Sequence, residues 1–500
     1  MSEAYFLGLD AGNTVIKAVL FDEVGQQIAI CALDGQSSTP KPGHVERDLG
    51  ELWANAQHVI AACITQSGID PAKIKGVGCA GHGNGLYLLD KQGEPLVGIQ
   101  SLDTRAAGLA SELCEQHGAR FHELCLQKPW PSQTPTLLSW IKQNEPDVYA
   151  SAATVLLCKD YISYQLTGKL VSDISDMSGC GMTKLPEAKY DQELMALYGL
   201  EDAWYMLPDL LAPCDIAGHV TAEAAKATGL IEGTPVIAGF FDVISSALGS
   251  GTGLPVQASI IAGSWSINQV FSSEPVVDDS VFMVTAFGED SFVNIEASAT
   301  SAANLEWFVR ELIERGEHHD DPFGYVNSKL GDIEPKADDP FFHPFLYGSG
   351  QGAEYRAGFY GLAGWHSEAH MLRALFEGVL FEHLRHIDVL RRSGVDFSKA
   401  TLSGGGSRSP HWPQMFADAL GVPITVAQAR ETGALGAAMG VAIATGYVGS
   451  YEEAIAKMTR TEKVLMPDAS LSSHYSARYE TYLKLTASMR SFWQQQLEEA

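Results

Sequence analysis

Short apolar runs alternate along the chain with longer amphipathic stretches. The short runs have the length and composition of buried strands, and the longer stretches have the length of helices. The predicted strands are Tyr5–Leu9, Val15–Phe21, Ile74–Cys79, Leu86–Leu89, Val155–Leu157 and Pro235–Phe241. The predicted helices include Leu49–Ser67, Asp103–Gln116 and Pro135–Gln143. This alternation indicates an α/β fold.

A glycine-rich segment, Gly249–Gly253, interrupts this pattern near the middle of the chain, and a second strand-rich block begins at Gln257. A chain of 500 residues exceeds the roughly 250–300 residues that one hydrophobic core supports, so length alone predicts about two to four domains. Flexible glycine-rich segments are typical of domain boundaries. We therefore expect a division near this break, into residues 1–250 and 251–500.

The first two predicted strands flank a polar sequence, DAGNT, that starts at Asp10. Gly12 and Asn13 tolerate the backbone angles of a tight hairpin turn. The N–H groups of such a tip can face phosphate oxygens, while Thr14 and Lys17 supply a hydroxyl group and a cation. Asp10 ends a buried strand, where a carboxylate can hold a water-bridged Mg²⁺. The hairpin therefore predicts an ATP phosphate site, with a merely solvated edge hairpin as the alternative.

A second hairpin with a similar plan is predicted over Ala258–Phe271. An apolar run is followed by Gly263, Ser264 and other small residues, and then by another apolar run. Two facing hairpins, one in each domain, would clamp a polyphosphate between them. A chance similarity is the alternative, because any α/β protein contains several hairpins.

The segment Gly76–Gly81 has the letters of the G-x-G-x-x-G dinucleotide fingerprint. That motif requires a helix directly after it, and here the strand Leu86–Leu89 follows instead, so we reject a Rossmann site. A loop such as His82–Gly85 can approach a polyol closely and bind its hydroxyl groups. Asp103 and Arg105 would add an acceptor and donors, although Asp103 is also a reasonable helix N-cap.

Asp242 is the most informative acid in the sequence, because it directly follows the apolar segment Ala238–Phe241. A carboxylate withdrawn from water is costly unless it is paired or used, and desolvation raises its basicity. Those properties suit a general base that accepts a proton from an alcohol. The alternative is a helix N-cap for Val243–Leu248, which does not exclude catalysis.

Two glycine-rich segments near the C-terminus complete the candidate chemistry. Ser403–Pro410 follows a short predicted strand, and its bare backbone could lie against an adenine base or a ribose; a simple turn is the alternative. Glu431–Ala438 begins a helix of small residues, either at an interdomain seam or buried in a core. The sequence contains no G-x-x-x-x-G-K-[ST] motif, so phosphate binding does not come from a P-loop.

Two histidine clusters, His383-x-x-His386 and His318–Asp321, suggest metal ligands at first sight. Neither has the spacing of a zinc protease or a clear third ligand, so we predict no metal site at either position.

The formal net charge of −28 opposes nonspecific binding to nucleic acid or to an anionic membrane. The eight cysteines form no C-x-x-C pair and indicate buried thiols in a reducing compartment. Acids at Glu3 and Asp10 argue against a signal peptide, and the uncharged stretch Thr432–Tyr451 is too weakly hydrophobic for a membrane span. We expect a cytoplasmic protein. The sequence leaves its oligomeric state open, with a homodimer as one alternative.

Two longer segments make the chain resemble the FGGY carbohydrate kinases, which belong to the actin, hexokinase and heat-shock ATPase superfamily. Ala357–Leu362 and His370–Glu377 fit the C-terminal signature of that family completely. Ser132–Asn144 fits its N-terminal signature with one departure, Leu137 in place of the usual lysine. The resemblance implies two ribonuclease-H-like domains, of the actin and hexokinase type, around a deep cleft.

The resemblance also implies roles for individual residues. Asp242 falls on the catalytic base and Asp10 on the position that holds Mg²⁺. His82, Gly83, Asp103 and Arg105 lie along the expected sugar-binding surface. The expected ATP-binding residues are Gly12, Asn13, Thr14 and Lys17 for the first phosphate motif, Gly263 and Ser264 for the second, and Gly404, Gly405, Gly406 and Ser407 for adenosine.

The resemblance implies transfer of the ATP γ-phosphate to a sugar. Glycerol kinases carry an Arg-Glu pair where this chain has His82–Gly85, which argues against glycerol. Segments such as Gly239–Val243 and Pro344–Ser349 look most like bacterial L-xylulose kinases, so we expect a terminal hydroxyl group of a ketopentose, with L-xylulose favoured. The alternatives are D-xylulose, ribulose, erythritol or 3-dehydro-L-gulonate, a silent sugar sensor and, outside this class, a chaperone-like ATPase.

Overall fold

The computed structural model describes residues 4–288, 290–352 and 354–498. The strands are β1 (Tyr5–Ala11), β2 (Val15–Asp22), β3 (Gln27–Asp34), β4 (Ile74–Gly81), β5 (Leu86–Asp90), β6 (Pro95–Ile99), β7 (Ala152–Leu156), β8 (Val171–Asp173), β9 (Thr183–Lys184), β10 (Lys189–Tyr190), β11 (Asp209–Leu211), β12 (Ile216–His219), β13 (Pro235–Ile237), β14 (Phe240–Phe241), β15 (Gln257–Ala262), β16 (Ser266–Ser272), β17 (Met283–Gly288), β18 (Ser291–Ser298), β19 (Phe341–His343), β20 (Gly358–Tyr360), β21 (Lys399–Ser403), β22 (Ile424–Ala427) and β23 (Thr461–Leu465).

The α-helices are α1 (Leu49–Ser67), α2 (Ala107–Cys125), α3 (Thr134–Asn144), α4 (Pro146–Ser151), α5 (Cys158–Thr167), α6 (Ile174–Gly179), α7 (Gln192–Leu197), α8 (Ala222–Thr228), α9 (Asp242–Gly249), α10 (Ala303–Phe308), α11 (Pro322–Gly331), α12 (Glu368–Arg392), α13 (Trp412–Leu420), α14 (Thr432–Ala444), α15 (Tyr451–Met458) and α16 (Ala469–Glu498). Short 3₁₀ turns cover Pro71–Lys73, Glu201–Met206 and Gly405–Arg408, and a π-helical turn covers Val309–Ile313.

The described chain forms two compact α/β units. The first comprises residues up to 255, together with 271–294 and 429–460; the second comprises 256–270, 295–428 and the residues from 461 onward. The first long segment thus ends close to the predicted boundary, and two later segments join it. Helix α14 belongs to the first unit rather than to a separate C-terminal half.

The main sheet of the first unit has the strand order β12-β13-β4-β1-β2-β3, and β14 also pairs with β4. Strands β1 and β2 form an antiparallel hairpin in which Asp10 pairs with Lys17. Strand β4 runs parallel to β1, and β14 runs parallel to β4. The carboxyl ends of β1, β4 and β14 therefore meet at one edge of the sheet. Asp10, His82 and Asp242 lie at or just beyond those ends.

A second seven-stranded sheet, with the order β17-β18-β16-β15-β21-β22-β23, repeats this arrangement. Strands β15 and β16 form the hairpin, β21 lies parallel to β15, and β22 lies parallel to β21. In each sheet, the strand at the edge far from the hairpin is antiparallel to its neighbour: β12 pairs with β13, and β23 pairs with β22. The common order supports the inference from sequence that the two hairpins belong to diverged copies of one unit.

Buried apolar side chains of the first unit form one core against the main sheet and another around a smaller sheet. One lies between the main sheet and helices α1 and α5, and it includes Leu7, Leu9, Val59 and Ile162. The other surrounds the smaller sheet β6-β5-β7 and helices α2 and α3. Among the described residues, no helix has both the length and the apolar character needed to cross a membrane.

Helix α14 packs tightly because of its glycines. A Cβ on Gly436 would lie 1.9 Å from the Ser245 carbonyl oxygen of α9, and one on Gly440 would lie 2.5 Å from the Phe240 ring. From the sheet side, a Cβ on Gly8 of β1 would lie 1.9 Å from the Ala434 oxygen. These clashes explain the small residues of this uncharged stretch by packing within the first unit, not by a seam between units.

Two sequence predictions of local structure need correction. The helix expected from Asp103 begins at Ala107 instead, because the Asp103 carboxylate accepts hydrogen bonds from the backbone N–H groups of Val45 and Arg105 in a preceding turn. The strand expected over Pro235–Phe241 is broken at Gly239. There φ is +89°, and a Cβ would lie 2.1 Å from the Cys79 carbonyl oxygen, so only glycine fits.

Candidate active site

Asp242 and Asp10 form an acidic pair at the edge of the first sheet. Asp242 was predicted as the N-cap but is the first residue of α9, whose N-cap is Phe241, and the side chains of Asp10 and Asp242 are both half-buried. Desolvation, together with repulsion from Asp10, raises the pKa of Asp242 to about 8, although a hydrogen bond from the Val243 backbone opposes this shift. Desolvation also raises the pKa of Asp10 to about 6, with Lys17 opposing and Glu431 reinforcing the shift. Both carboxyl groups therefore disfavour ionisation until a positive charge arrives.

Asp10 lies beside the start of helix α14. Helix α14 begins at Thr432, and a Cβ on Gly433 would lie 2.6 Å from Asp10 Oδ2, so the N-terminus of this helix directly adjoins the carboxylate. The described residues contain no cluster of three or more His, Cys, Asp and Glu side chains able to hold a metal by themselves. Mg²⁺ suits such a site, because it commonly takes one or two carboxylates and fills its other positions with water and phosphate oxygens.

Lys17 is not a free cation in this structure. Its Nζ donates to Glu431 Oε2 at 2.7 Å, and the two side chains are 31% and 15% exposed. Glu431 is 414 positions away in sequence and directly precedes α14. Sequence reasoning placed Lys17 at the phosphates but did not find this partner, because pattern analysis detects local periodicity and not contacts between distant segments.

The tip of the first hairpin is held by two side chains that the sequence did not reveal. Arg47 donates to the carbonyl oxygen of Gly12 at 3.1 Å and, at shorter range, to that of Asn13. Gln100 also donates to the Asn13 oxygen, at 2.7 Å. Gly12 does not use a left-handed backbone as predicted; its N–H donates to Val15 at 3.0 Å. The turn is therefore fixed by tertiary hydrogen bonds rather than by an unusual backbone angle.

The loop after β4 lies beside Asp242. The His82 N–H donates to the Ala11 oxygen at 3.1 Å, which ties the loop to β1. Gly83 lies between two side chains: a Cβ there would approach the Phe241 ring to 2.4 Å and Asp176 Oδ1 to 2.9 Å. This position accepts only glycine, and Phe241 is the residue that directly precedes Asp242.

Burial makes His82 a neutral hydrogen-bonding residue. Its Nε2 lies 2.8 Å from the Tyr87 hydroxyl group, and the side chain is buried. Desolvation, with a contribution from the charge of Arg47, lowers the pKa of His82 to about 3. The imidazole therefore serves as a fixed dipole and not as a proton carrier near neutral pH.

Asp103 and Arg105 are paired with each other. Arg105 Nη2 lies 2.9 Å from Asp103 Oδ2 and 2.7 Å from Glu46 Oε1, and the side chains of both Asp103 and Arg105 are fully buried. The Asp103 N–H donates to the Gln100 oxygen at 3.1 Å, which connects this ion pair to the residue that holds the hairpin tip. Through Gln100, the pair thus helps to hold the tip of the first hairpin. Because both side chains are buried, they offer little surface to a ligand.

In the second unit, Gly263 and the segment Gly404–Ser407 follow neighbouring parallel strands. Ile261 of β15 pairs with Ser403 of β21, so the two glycine-rich segments leave the same edge of the sheet. The Ala302 N–H donates to the Gly263 oxygen at 2.9 Å. Gly404 has φ +80°, and a Cβ there would lie 2.8 Å from the Ala262 oxygen. The structure thus brings these two predicted nucleotide motifs together.

A buried polar network supports the second hairpin. Asn268 of β16 lies 2.9 Å from His383 Nδ1 and 3.0 Å from His386 Nδ1, and Ser298 lies 3.0 Å from His386 Nε2. Desolvation lowers the pKa of His383 to about 3 and that of His386 well below its ordinary value. The His-x-x-His pair of α12 is thus neutral and committed to internal hydrogen bonds.

Both halves of the chain match the domains of one known protein family. Residues 5–249 match the N-terminal domain of the FGGY family of carbohydrate kinases, and residues 258–445 match its C-terminal domain. The probable L-xylulose kinase of Pasteurella multocida is 34% identical over 493 residues, which cover 97% of this chain and 99% of that protein. The L-xylulose/3-keto-L-gulonate kinase of Escherichia coli is also 34% identical, over 494 residues and 98% of each chain.

A solved structure gives the same result for the fold. The xylulose kinase of Rhodospirillum rubrum is 26% identical and superposes with a TM-score of 0.89 over 98% of this chain and 100% of that one. The domain matches cover most of the sequence, and the two sheets carry the predicted phosphate hairpins at equivalent positions. The chain therefore belongs to the FGGY family of carbohydrate kinases, and it is an ATP-dependent sugar kinase.

Proposed function

We propose that this kinase transfers the γ-phosphate of ATP to a terminal hydroxyl group of a ketopentose, L-xylulose in the first place, with Asp242 as the general base. The observation that carries the proposal is the position of Asp242, half-buried at the start of α9, with Phe241 packed against the His82–Gly83 loop. Two relatives at 34% identity, named as L-xylulose kinases, support the choice of sugar.

Asp242 would accept the proton of the attacking hydroxyl group. A pKa near 8 in the unliganded protein makes it a strong enough base for this task. Positive charge placed next to it, as by an Mg²⁺ held at Asp10, would lower that pKa and favour the ionised form, which is the form that accepts a proton.

The phosphates would be held by the two hairpins. In the first unit, Gly12, Asn13 and Thr14 would present backbone and hydroxyl groups, while Lys17 would exchange Glu431 for a phosphate oxygen. Asp10 would hold Mg²⁺, which would supply positive charge that offsets the charge of the phosphates.

In the second unit, Gly263 and Ser264 would contact the phosphates, and Gly404, Gly405, Gly406 and Ser407 would lie against adenosine. The open space at Gly405, where a Cβ would meet no atom within 4 Å, supports this role.

The sugar would lie along the His82–Gly83 loop. His82 is neutral, and its two ring nitrogens lie 2.8 Å from the Tyr87 hydroxyl group and 3.4 Å from the Gly83 carbonyl oxygen, so it would act mainly by holding this loop in place. Asp103 and Arg105 would likewise act mainly by holding the neighbouring backbone. We further propose a cytoplasmic enzyme, which the eight free cysteines support, and we leave a homodimer as a possibility for measurement.

The test is ADP release with Mg²⁺ and ATP across L-xylulose, D-xylulose, L- and D-ribulose, erythritol, glycerol and 3-dehydro-L-gulonate. We expect the highest kcat/KM with L-xylulose. A preference outside the ketoses would contradict the proposed substrate. Rapid ATP hydrolysis without any sugar would instead favour the chaperone-like alternative, and sugar binding without accumulation of a sugar phosphate would indicate a sensor.

A further inference from the structure

A buried charge cluster packs against two segments of the proposed site, the end of β4 at Gly81 and the break at Gly239 before Asp242. Lys159 of α5 has no exposed side-chain surface, and its Nζ lies 2.8 Å from Asp173 and 3.7 Å from Asp176, with a still closer contact to Asp160. The Lys159 side chain also packs against the backbone at Gly81 and Gly239. A Cβ on Gly81 would lie 3.0 Å from Lys159 Cβ, and one on Gly239 would lie 3.4 Å from Lys159 Cδ.

Ser175 connects this cluster to the segment before Asp242. Asp173 Oδ2 accepts the Ser175 N–H at 2.7 Å and also the Ser175 hydroxyl group. A carboxylate paired with Lys159 is an acceptor only, so the hydroxyl hydrogen must point toward Asp173. The lone pairs of Ser175 Oγ are then free to accept, and they receive the Phe241 N–H at 3.3 Å.

Helix α6 also fixes the Phe241 side chain. Ser175 near its start bonds the Phe241 backbone, while Gly179 at its end packs against the ring, where a Cβ would lie 3.1 Å from Cδ1. Gly83 closes the other side of the ring. Phe241 is therefore held at its backbone and on two sides of its ring.

We propose that Ser175 is a positioning residue for Asp242: it anchors the Phe241 backbone, with its own hydroxyl group oriented by Asp173 and Lys159, and so fixes where the Asp242 carboxylate meets the sugar hydroxyl group. This inference rests on the proposed role of Asp242 as the base. Errors of about 1 Å at a reacting group cost roughly 100-fold in rate, so an anchor one residue before the base has a measurable effect.

The main test is Ser175→Ala in the full-length enzyme. We expect kcat to fall about 10- to 100-fold, while the KM for ATP changes little, because the nucleotide contacts lie elsewhere. Ser175→Thr retains the hydroxyl group and should restore most of kcat. The matched control is Ser250→Ala, which removes a buried hydroxyl group that donates to the Ala247 oxygen at 2.8 Å, at the far end of α9.

A loss of kcat in Ser175→Ala no larger than in Ser250→Ala would overturn the inference, as would a threonine variant as slow as the alanine variant. Gly179→Ala supplies a second route that leaves the hydrogen bonds intact and keeps the inference testable if Ser175→Ala does not fold. Its Cβ would press on the Phe241 ring, so kcat should again fall; an unchanged kcat would overturn the inference.

Asp242→Asn separates this inference from the proposed function. If that variant turns over normally, Asp242 is not the base and both statements fail. If it is inactive while Ser175→Ala and Gly179→Ala are as fast as the unaltered enzyme, the base assignment stands and the positioning role fails alone.

Discussion

The two hairpins that we propose for phosphate binding share a strand arrangement but differ in the side chains around them. In both, an antiparallel hairpin lies beside a parallel strand, β1–β2 beside β4 and β15–β16 beside β21. The first hairpin ends among charged groups, with Asp10 paired in register with Lys17 and with Glu431 nearby. The second is supported by Asn268 and two neutral histidines.

This difference separates two tasks that a kinase must perform. The first unit holds the acidic pair Asp10 and Asp242, whose pKa values are raised and which suit a cation and a proton transfer. The second unit offers glycine backbone at Gly263 and Gly404–Gly406, which suits contact with phosphates and a nucleoside. The two sheets thus share the placement of the hairpins, while the side chains behind them differ.

The strongest way to test this separation is Asp242→Asn. We expect turnover to fall by about 10²–10⁴, the usual effect of removing a general base, while nucleotide affinity persists because the second unit is unchanged. Steady-state ADP release gives kcat, and a fluorescence titration gives the affinity for ATP. Turnover within a factor of a few of the unaltered enzyme would contradict the base assignment.

Valine at Gly405 tests the second unit. The position has an ordinary backbone angle and open space, so the substitution should fold normally, yet the side chain would occupy the proposed adenosine surface. We expect the KM for ATP to rise at least about tenfold, a cost near 1.4 kcal/mol, with little change in the KM for sugar. Gly263→Val should act similarly.

The control for these two variants is Gly364→Val, which also has open space in the second unit. An unaltered KM for ATP in Gly405→Val, or a change confined to the KM for sugar, would show that the nucleotide does not lie on this segment.

Removal of the Lys17 charge should have a smaller effect on the reaction than the loss of Asp242. Its bond to Glu431 is partly exposed, so Lys17→Met should change the free energy of unfolding by less than about 1 kcal/mol. If Lys17 exchanges Glu431 for phosphate, the KM for ATP should rise about tenfold. Glu431→Gln keeps the lysine and should change that KM by less than about threefold. Equal KM values in the two variants would contradict the exchange.

The acidic pair also predicts a pH dependence of thermal stability. The native protein holds protons on Asp10 and Asp242 that the unfolded chain releases, between about pH 4 and the raised pKa values of about 6 and about 8. Unfolding releases protons in this window, so the free energy of unfolding should fall as pH rises. Thermal midpoints of the unliganded protein measured from pH 5 to 8 should therefore decline.

The double variant Asp10→Asn with Asp242→Asn should show a flatter decline, because neither position then carries a titrating proton. Asp279→Asn serves as a control, since Asp279 lies in an exposed ion pair with Lys128. A slope in the double variant as steep as in the unaltered protein would show that the acidic pair does not govern this pH dependence.

The sequence by itself determined several of the elements and the candidate site residues. Helix α1 was predicted with its exact bounds, and the hairpins, Asp242 and the glycine-rich segments were identified, because apolar periodicity and glycine placement are local properties of the chain. The family resemblance rested on local signatures for the same reason, and the comparisons confirm it.

Only the tertiary structure decided how these parts are held. Arg47 at the first hairpin tip, Glu431 on Lys17, and Ser175 on the Phe241 backbone join segments that are 34, 414 and 66 positions apart. No local pattern marks such partners, since each of these contacts depends on which distant segment the fold brings next to the side chain. Desolvation at the sheet edge, which raises the pKa of Asp242, likewise exists only once the strands of the first unit have been brought together.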